Sequence, residues 1–143
     1  MVSFPEAIKL FFKRYVDFQG RSSRAEYWWV QLLNFGVFFV FGFVFGFTGA
    51  AMSGGGEPSD ATMGLMGIPL FIYMLVILVP SIALLVRRLH DIDKSGWLAL
   101  GLLLGAIPVV GLLVGLVYIV LCCLPGTDGT NRYGPEPGGS APV

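Results

Sequence analysis

The sequence predicts an all-α fold, a polytopic helical membrane protein with about three transmembrane helices behind an N-terminal amphipathic interfacial helix. Three observations predict it. Of 143 residues, 55% are hydrophobic and 13% charged, with a mean hydropathy of +0.78, too apolar for an ordinary soluble domain. The charge is also unevenly placed: from Tyr27 to Val86 only Glu57 and Asp60 carry it, and between Ser95 and Thr127 nothing does. A soluble fold would need charge on its exposed helix faces. Finally, Arg87–Trp97, RRLHDIDKSGW, gathers Arg87, Arg88, His90, Asp91, Asp93 and Lys94 between two long uncharged runs. A polytopic chain looks like this where it leaves the bilayer and re-enters.

In residues 1–26, Phe4, Ala7, Ile8, Phe11, Phe12 and Tyr15 recur at helical spacing. Glu6, Lys9, Lys13, Arg14 and Asp17 fall on the other side, so an amphipathic interfacial helix over 3–18 is expected, suited to anionic lipid. The same periodicity fits a helix packed on its own bundle. Gln19-Gly20 breaks the pattern, and Ser22 or Ser23 can cap a following helix, with Glu26 at or near capping-box distance. The segment has no compact apolar core and no small-residue cleavage site, so no removable signal peptide is expected.

Tyr27-Trp28-Trp29 opens the first span, expected over about 27–47, with its indoles at the headgroup level. Gly42 and Gly46 form a GxxxG pair suited to close helix packing, and Asn34 is expected to bond a neighbouring helix. Residues 48–64 read as a flexible Gly-rich loop without Lys or Arg. The second span is expected over about 65–86, where Pro80 should kink the helix or be answered by a neighbour. Arg88 and Arg87 lie three and four residues before Asp91, within reach if the exit is helical, and Ser95 can cap the next helix beside Trp97.

The third apolar run, 97–124, would be about 42 Å as a straight helix, against a hydrocarbon core of ~30 Å. Pro108 divides it between two further pairs, Gly101/Gly105 and Gly111/Gly115. A single tilted, kinked span is the simpler reading. A hairpin turning at Pro108 and Gly111 is the alternative, with each arm short for a crossing. Pro125-Gly126 ends the helix, giving one helical membrane domain over 1–137 and a disordered tail, 138–143. Lys9, Lys13, Arg14, Arg21 and Arg24 before the first span, and Arg87, Arg88 and Lys94 after the second, place the N-terminus and the turn in the cytoplasm. The side of the C-tail depends on whether 97–124 crosses once or returns.

FKRYVDFQGRSSRAEYWWVQLLN, then RRLHDIDKSGW, then PGTDGTNRYGPEP, in this order and spacing, resemble domain-of-unknown-function family 805, small bacterial inner-membrane proteins. The resemblance covers roughly residues 8 to 137. The motif positions it carries over are Gly20, Arg21, Arg24, Glu26, Tyr27 and Trp28; Arg87, Arg88, Leu89, His90, Asp91, Ser95, Gly96 and Trp97; and Pro125, Gly126, Asn131, Arg132, Tyr133 and Gly134. It implies a bacterial inner-membrane location and a multi-span helical domain, and no activity. The Gly-rich 52–60 linker departs from the pattern.

His90, Asp91 and Asp93 have metal-ligand chemistry, but the chain has one histidine and no cysteine beside it, so no metal and no cofactor is expected. His90 with two arginines suits a phosphate, yet no second base, nucleophile or metal-carboxylate cluster accompanies it. P-loop, GxGxxG, HExxH and GxSxG patterns are missing. No enzyme is expected, lipid-phosphate chemistry being the alternative. The remaining reading is electrostatic. Arg21, Arg24, Arg87 and Arg88 would face lipid phosphates or pair with Glu26, Asp91 and Asp93, because a guanidinium grips either oxyanion with two parallel bonds. Such pairs can merely fix helix ends, or they can dock anionic lipid or a partner protein at the cytoplasmic face. A subunit of an oligomeric small-solute transporter or channel is the alternative function, weakened by spans that hold no charge. The three glycine pairs lead to an expectation of self-association, and neutral net charge gives no reason for nucleic-acid binding.

Overall fold

A computed structural model describes residues 2–52, 54 and 59–138, and every helix or strand among them is helical. In order they are α1 (Phe4–Lys13), α2 (Arg24–Met52), α3 (Asp60–Asp91), a 3₁₀ helix (Gly96–Ala106) and α4 (Pro108–Cys123). The parts of the Gly-rich loop at 53 and 55–58, and the tail expected to be disordered beyond Gly138, lie outside the described residues.

The chain divides into two compact units, one made of the residues up to Val30 and from Val79 onward, the other of Gln31–Leu78. In the second unit, the Tyr73 hydroxyl donates to Asn34 Oδ1 at 2.8 Å, and Phe38 meets the Tyr73 ring edge-on at 5.8 Å. Asn34 therefore bonds a neighbouring helix, as its place in an apolar run requires. Phe35, Phe39, Phe43 and Phe47 run down α2 at four-residue spacing and are exposed, Phe35 by 69%. At Gly42 and Gly46 a Cβ would meet nothing within 4 Å among the described residues, so this pair makes no close packing contact with them.

In the first unit α1 is shorter than the expected 3–18. It stops at Lys13 because the Arg14 side chain turns the backbone: Nε pairs with Asp17 at 2.8 Å and Nη2 donates to the Gln19 carbonyl at 3.0 Å. Gly20 follows at φ +74°, where a side chain would be strained. Ala7 and Phe11 are buried while Phe4, Phe12, Lys9 and Lys13 are exposed, so α1 packs one stripe inward and presents another of aromatic and basic groups.

The third apolar run is a hairpin, which corrects the simpler reading of one kinked span. The 3₁₀ helix ends at Ala106, Pro108 starts α4, and the two arms pack along each other. The Tyr118 hydroxyl donates to the Leu98 carbonyl, and a Cβ on Gly111 would lie 2.5 Å from the Gly105 carbonyl oxygen. The reason is local. Proline supplies no N–H to continue the first arm, and glycines at 101 and 111 let the arms approach. In a helix of three residues per turn, positions 101 and 105 lie about 120° apart, so this pair does not form one GxxxG face. A Cβ at Gly101 would strike the Tyr118 hydroxyl and one at Gly111 the Gly105 backbone, whereas one at Gly105 or Gly115 would meet nothing within 4 Å among the described residues.

Burial is inverted relative to a soluble protein. Arg87 and Arg88 are among the largest fully buried side chains, whereas Leu103, Val109 and Leu112 of the hairpin are exposed. Apolar groups face outward only where the surrounding solvent is itself apolar.

Candidate functional site

The last two turns of α3 hold the polar centre. The helix ends in a Schellman motif: Lys94 N–H bonds the Leu89 carbonyl at 2.9 Å, and Asp93, at φ 56°, bonds the His90 carbonyl at 3.0 Å. Ser95 then caps the 3₁₀ helix by accepting Trp97 N–H. A Cβ at Gly96 would strike Val86 Cγ1 at 2.6 Å and His90 Nε2 at 2.9 Å, so the turn folds back directly onto the helix it leaves. Trp97 is 80% exposed.

From this helix end three side chains reach in different directions. Arg88 pairs with Asp91, one turn on, and donates to the Cys122 and Leu124 carbonyls, closing the C-terminal end of α4. Arg87 points elsewhere. Its Nη1 donates to the Arg14 carbonyl at 3.2 Å and to the Asp17 carbonyl, and its Nε to Ser22 Oγ at 3.0 Å. Its Nη2 stands 3.6 Å from Glu26 Oε1, an ion pair longer than a hydrogen bond. Ser22 Oγ passes its own proton to Glu26 Oε1 at 3.1 Å, and Ser23 Oγ accepts Glu26 N–H at 3.2 Å. Ser23 is thus the cap of α2, while the Glu26 carboxylate serves Ser22 and Arg87 instead of completing a capping box.

Asp91 joins the two halves. Besides Arg88 it takes Arg21, Nε at 2.9 Å and Nη2 at 2.8 Å, and its backbone carbonyl accepts both N–H and hydroxyl of Thr127. Arg21 continues to the Gly129 carbonyl at 2.6 Å and to that of Thr127. Asn131 bonds the His90 carbonyl at 2.9 Å and Thr127 Oγ1 at 2.8 Å, and its Oδ1 accepts Tyr133 N–H. Tyr133 stacks on His90 with centroids 3.8 Å apart, and His90 Nδ1 lies 3.1 Å from the Gly20 carbonyl, so that nitrogen carries the proton. Arg132 pairs with Asp93 at 3.0 Å and covers the outer face of Tyr133. At the mouth of the N-terminal turn, burial alone would raise the Asp17 carboxyl. The Arg14 hydrogen bond, the Gln19 N–H and the charges of Arg14 and Arg87 outweigh it and hold it below its ordinary value.

The structure therefore brings Gly20, Arg21, Glu26, Arg87, Arg88, His90, Asp91, Asn131 and Tyr133 into one network. Trp28 is half-buried against the apolar cluster of Leu85, Val86, Leu89, Ile92, Ala99 and Cys122 beneath it. Arg24 stands apart and exposed. Of the two roles expected for Arg21, Arg87 and Arg88, facing lipid phosphates or pairing with carboxylates, the structure shows the pairing: they are 5%, 0% and 0% exposed and bond carbonyls and carboxylates of this chain, with Arg87 Nη2 left without a hydrogen-bond partner among the described residues. Sequence reasoning missed Thr127 and the Arg14–Asp17 pair, although both lie inside the motif runs, and it missed the reason for Gly126, where a Cβ would sit 2.7 Å from Asp91 Cγ.

Polar groups tied to one another inside, apolar helices facing out, define a helical membrane protein with a buried ionic network at its helix ends. The family model described as "Protein of unknown function (DUF805)" matches residues 15–135, and the chain belongs to that family. It is 40% identical over 125 residues to the inner membrane protein YhaH of Escherichia coli (strain K12), covering 87% of this chain and 90% of YhaH. It is 36% identical over 129 residues to the inner membrane protein YhaI of the same strain, covering 87% and 89%. No solved structure matches it.

Proposed function

We propose that this protein crosses the inner membrane twice, dips a hairpin into it from one side, and works by contact with anionic lipid or protein at a single cytoplasmic face. One observation carries this. Asp91 binds Arg21 of the N-terminal segment, Arg88 of the turn and Thr127 of the C-terminal segment, so all three lie on one side. α2 leaves that side and α3 returns to it. The hairpin supports the same reading by its length: eleven 3₁₀ residues rise about 22 Å and sixteen α residues about 24 Å, both short of the ~30 Å hydrocarbon core. The basic residues on this face, and their lack in the 48–64 loop, favour the cytoplasm.

The expected result of a reporter fused after Val143 is cytoplasmic activity, with a reporter in the Gly-rich loop active outside. A C-terminus found outside would exclude the hairpin. For lipid contact the exposed cations matter, not the buried ones. Lys9 and Lys13 sit beside exposed Phe4 and Phe12 on α1. At about 1 kcal/mol per cation near an anionic surface, Lys9→Gln with Lys13→Gln should cut retained phosphatidylglycerol severalfold by native mass spectrometry. Unchanged retention would leave protein contact as the role of this face.

A further inference from the structure

Beside the Asp91 network a cleft of about 690 Å³ opens, within the size range of small-molecule sites. Two of the charges on its wall, Arg21 and Asp91, are already paired, Asp91 being shared with Arg88. The others are Arg24 from the first turn of α2, Glu6 from α1, and Asp128 and Glu136 from the C-terminal segment. Arg24 is exposed and enters no ion pair among the described residues. Among the described residues, Glu6 is engaged only by the Ser3 N–H at 3.4 Å, and Glu136 only by the Gly129 N–H at 3.2 Å. Ser23, also on the wall, accepts Glu26 N–H and keeps its hydroxyl proton to donate.

One cation with a hydroxyl, set against three carboxylates, suits neither a simple anion nor a metal ion. A bare phosphate would meet more negative than positive charge. For a metal, no three His, Cys, Asp or Glu side chains are grouped closely enough among the described residues. The pattern suits a dipolar molecule, its anionic end on Arg24 and Ser23 and its cationic end among the carboxylates. The cationic end can be specified further. No aromatic side chain lines the cleft among the described residues, so a quaternary ammonium would find no ring faces to cover it. A primary ammonium offers three N–H donors, which carboxylates accept. Arg24 stands just ahead of Tyr27 and Trp28, where the apolar run begins and where phosphodiesters lie.

We infer that this cleft binds a zwitterion joining a phosphate to a primary ammonium, the chemistry of phosphoethanolamine. It deepens the proposed contact function, resting on the membrane placement for the lipid source alone. The group arrives either as a phospholipid headgroup or as the free compound.

The test uses the full chain in nanodiscs of phosphatidylethanolamine, phosphatidylcholine and phosphatidylglycerol in equal parts, with bound lipid counted by native mass spectrometry. Phosphatidylethanolamine should be retained about tenfold over phosphatidylcholine. Asp128→Asn should weaken that preference severalfold, and Arg24→Gln should lower retained phosphatidylethanolamine severalfold, neither shifting the melting temperature, since both side chains are exposed. Free phosphoethanolamine that displaces the lipid identifies the soluble compound as a ligand. If it fails to displace retained phosphatidylethanolamine, the headgroup on its lipid is the ligand. Equal retention of ethanolamine and choline lipids, or an Arg24→Gln variant that retains as much phosphatidylethanolamine as the parent, overturns the inference. Lys9→Gln with Lys13→Gln should leave ethanolamine preference intact while lowering phosphatidylglycerol, so failure of the anionic-lipid reading is separable from failure of this one.

Discussion

Asp91→Ala should destabilise the protein by about 3–5 kcal/mol, the largest loss expected of any single polar substitution here. The carboxylate stands between two guanidiniums that are themselves buried, Arg21 and Arg88, and each loses its counter-charge when it goes. An unpaired charge held away from water costs far more than the pair was worth, because neither arginine can neutralise itself by shedding a proton. The backbone bonds from Thr127 to the Asp91 carbonyl survive the change, but the C-terminal segment loses Arg21 as its clamp. Asp93→Asn, two residues on, is the control, since an asparagine tolerates the left-handed backbone there that alanine would not. Its pair with Arg132 is exposed, so the loss should be about 0.2–1 kcal/mol. Unfolding in detergent, followed by the fluorescence of Trp28, Trp29 and Trp97, measures both. An Asp91→Ala protein within about 1 kcal/mol of the parent would show that the network is not buried as described.

Gly111→Ala should cost about 1–3 kcal/mol, while Gly115→Ala, one turn along the same helix, should be neutral or stabilising by up to ~1 kcal/mol. At Gly111 the added carbon would lie 2.5 Å from the Gly105 carbonyl oxygen and 3.0 Å from its Cα, backbone that cannot rotate away. The arms must separate. At Gly115 the same carbon enters open space and gains the ordinary helix preference of alanine over glycine. A single kinked span would keep positions 105 and 111 apart on one rod and make the two substitutions alike. The difference between them, read in the same unfolding experiment, therefore reports the hairpin directly.

The long uncharged runs were legible as membrane helices, and the observed α2 and α3 overrun the expected 27–47 and 65–86 because helical bonding continues into polar ends that apolarity does not mark. Asn34 and Ser95 were legible too, since a polar group in a hydrophobic run and a serine before an indole each have few uses. The Arg88–Asp91 pair follows from helix spacing alone. Arg87, a residue away, turns to the opposite side and meets Ser22, Arg14 and Glu26 through the fold, which no local pattern encodes.

By itself, the order of residues determined that the protein is helical, lives in a membrane and concentrates its ionic groups at helix ends, because transfer of apolar and charged side chains between water and hydrocarbon is a property of each residue type. Only the tertiary structure decided that the third run folds back on itself. It also decided that the arginines point inward rather than at lipid. The fold-back rests on packing between the arms, such as Tyr118 on Leu98, and the inward arginines on contacts between positions up to 113 residues apart, Arg21 with Gly134 among them, neither of which a local pattern encodes.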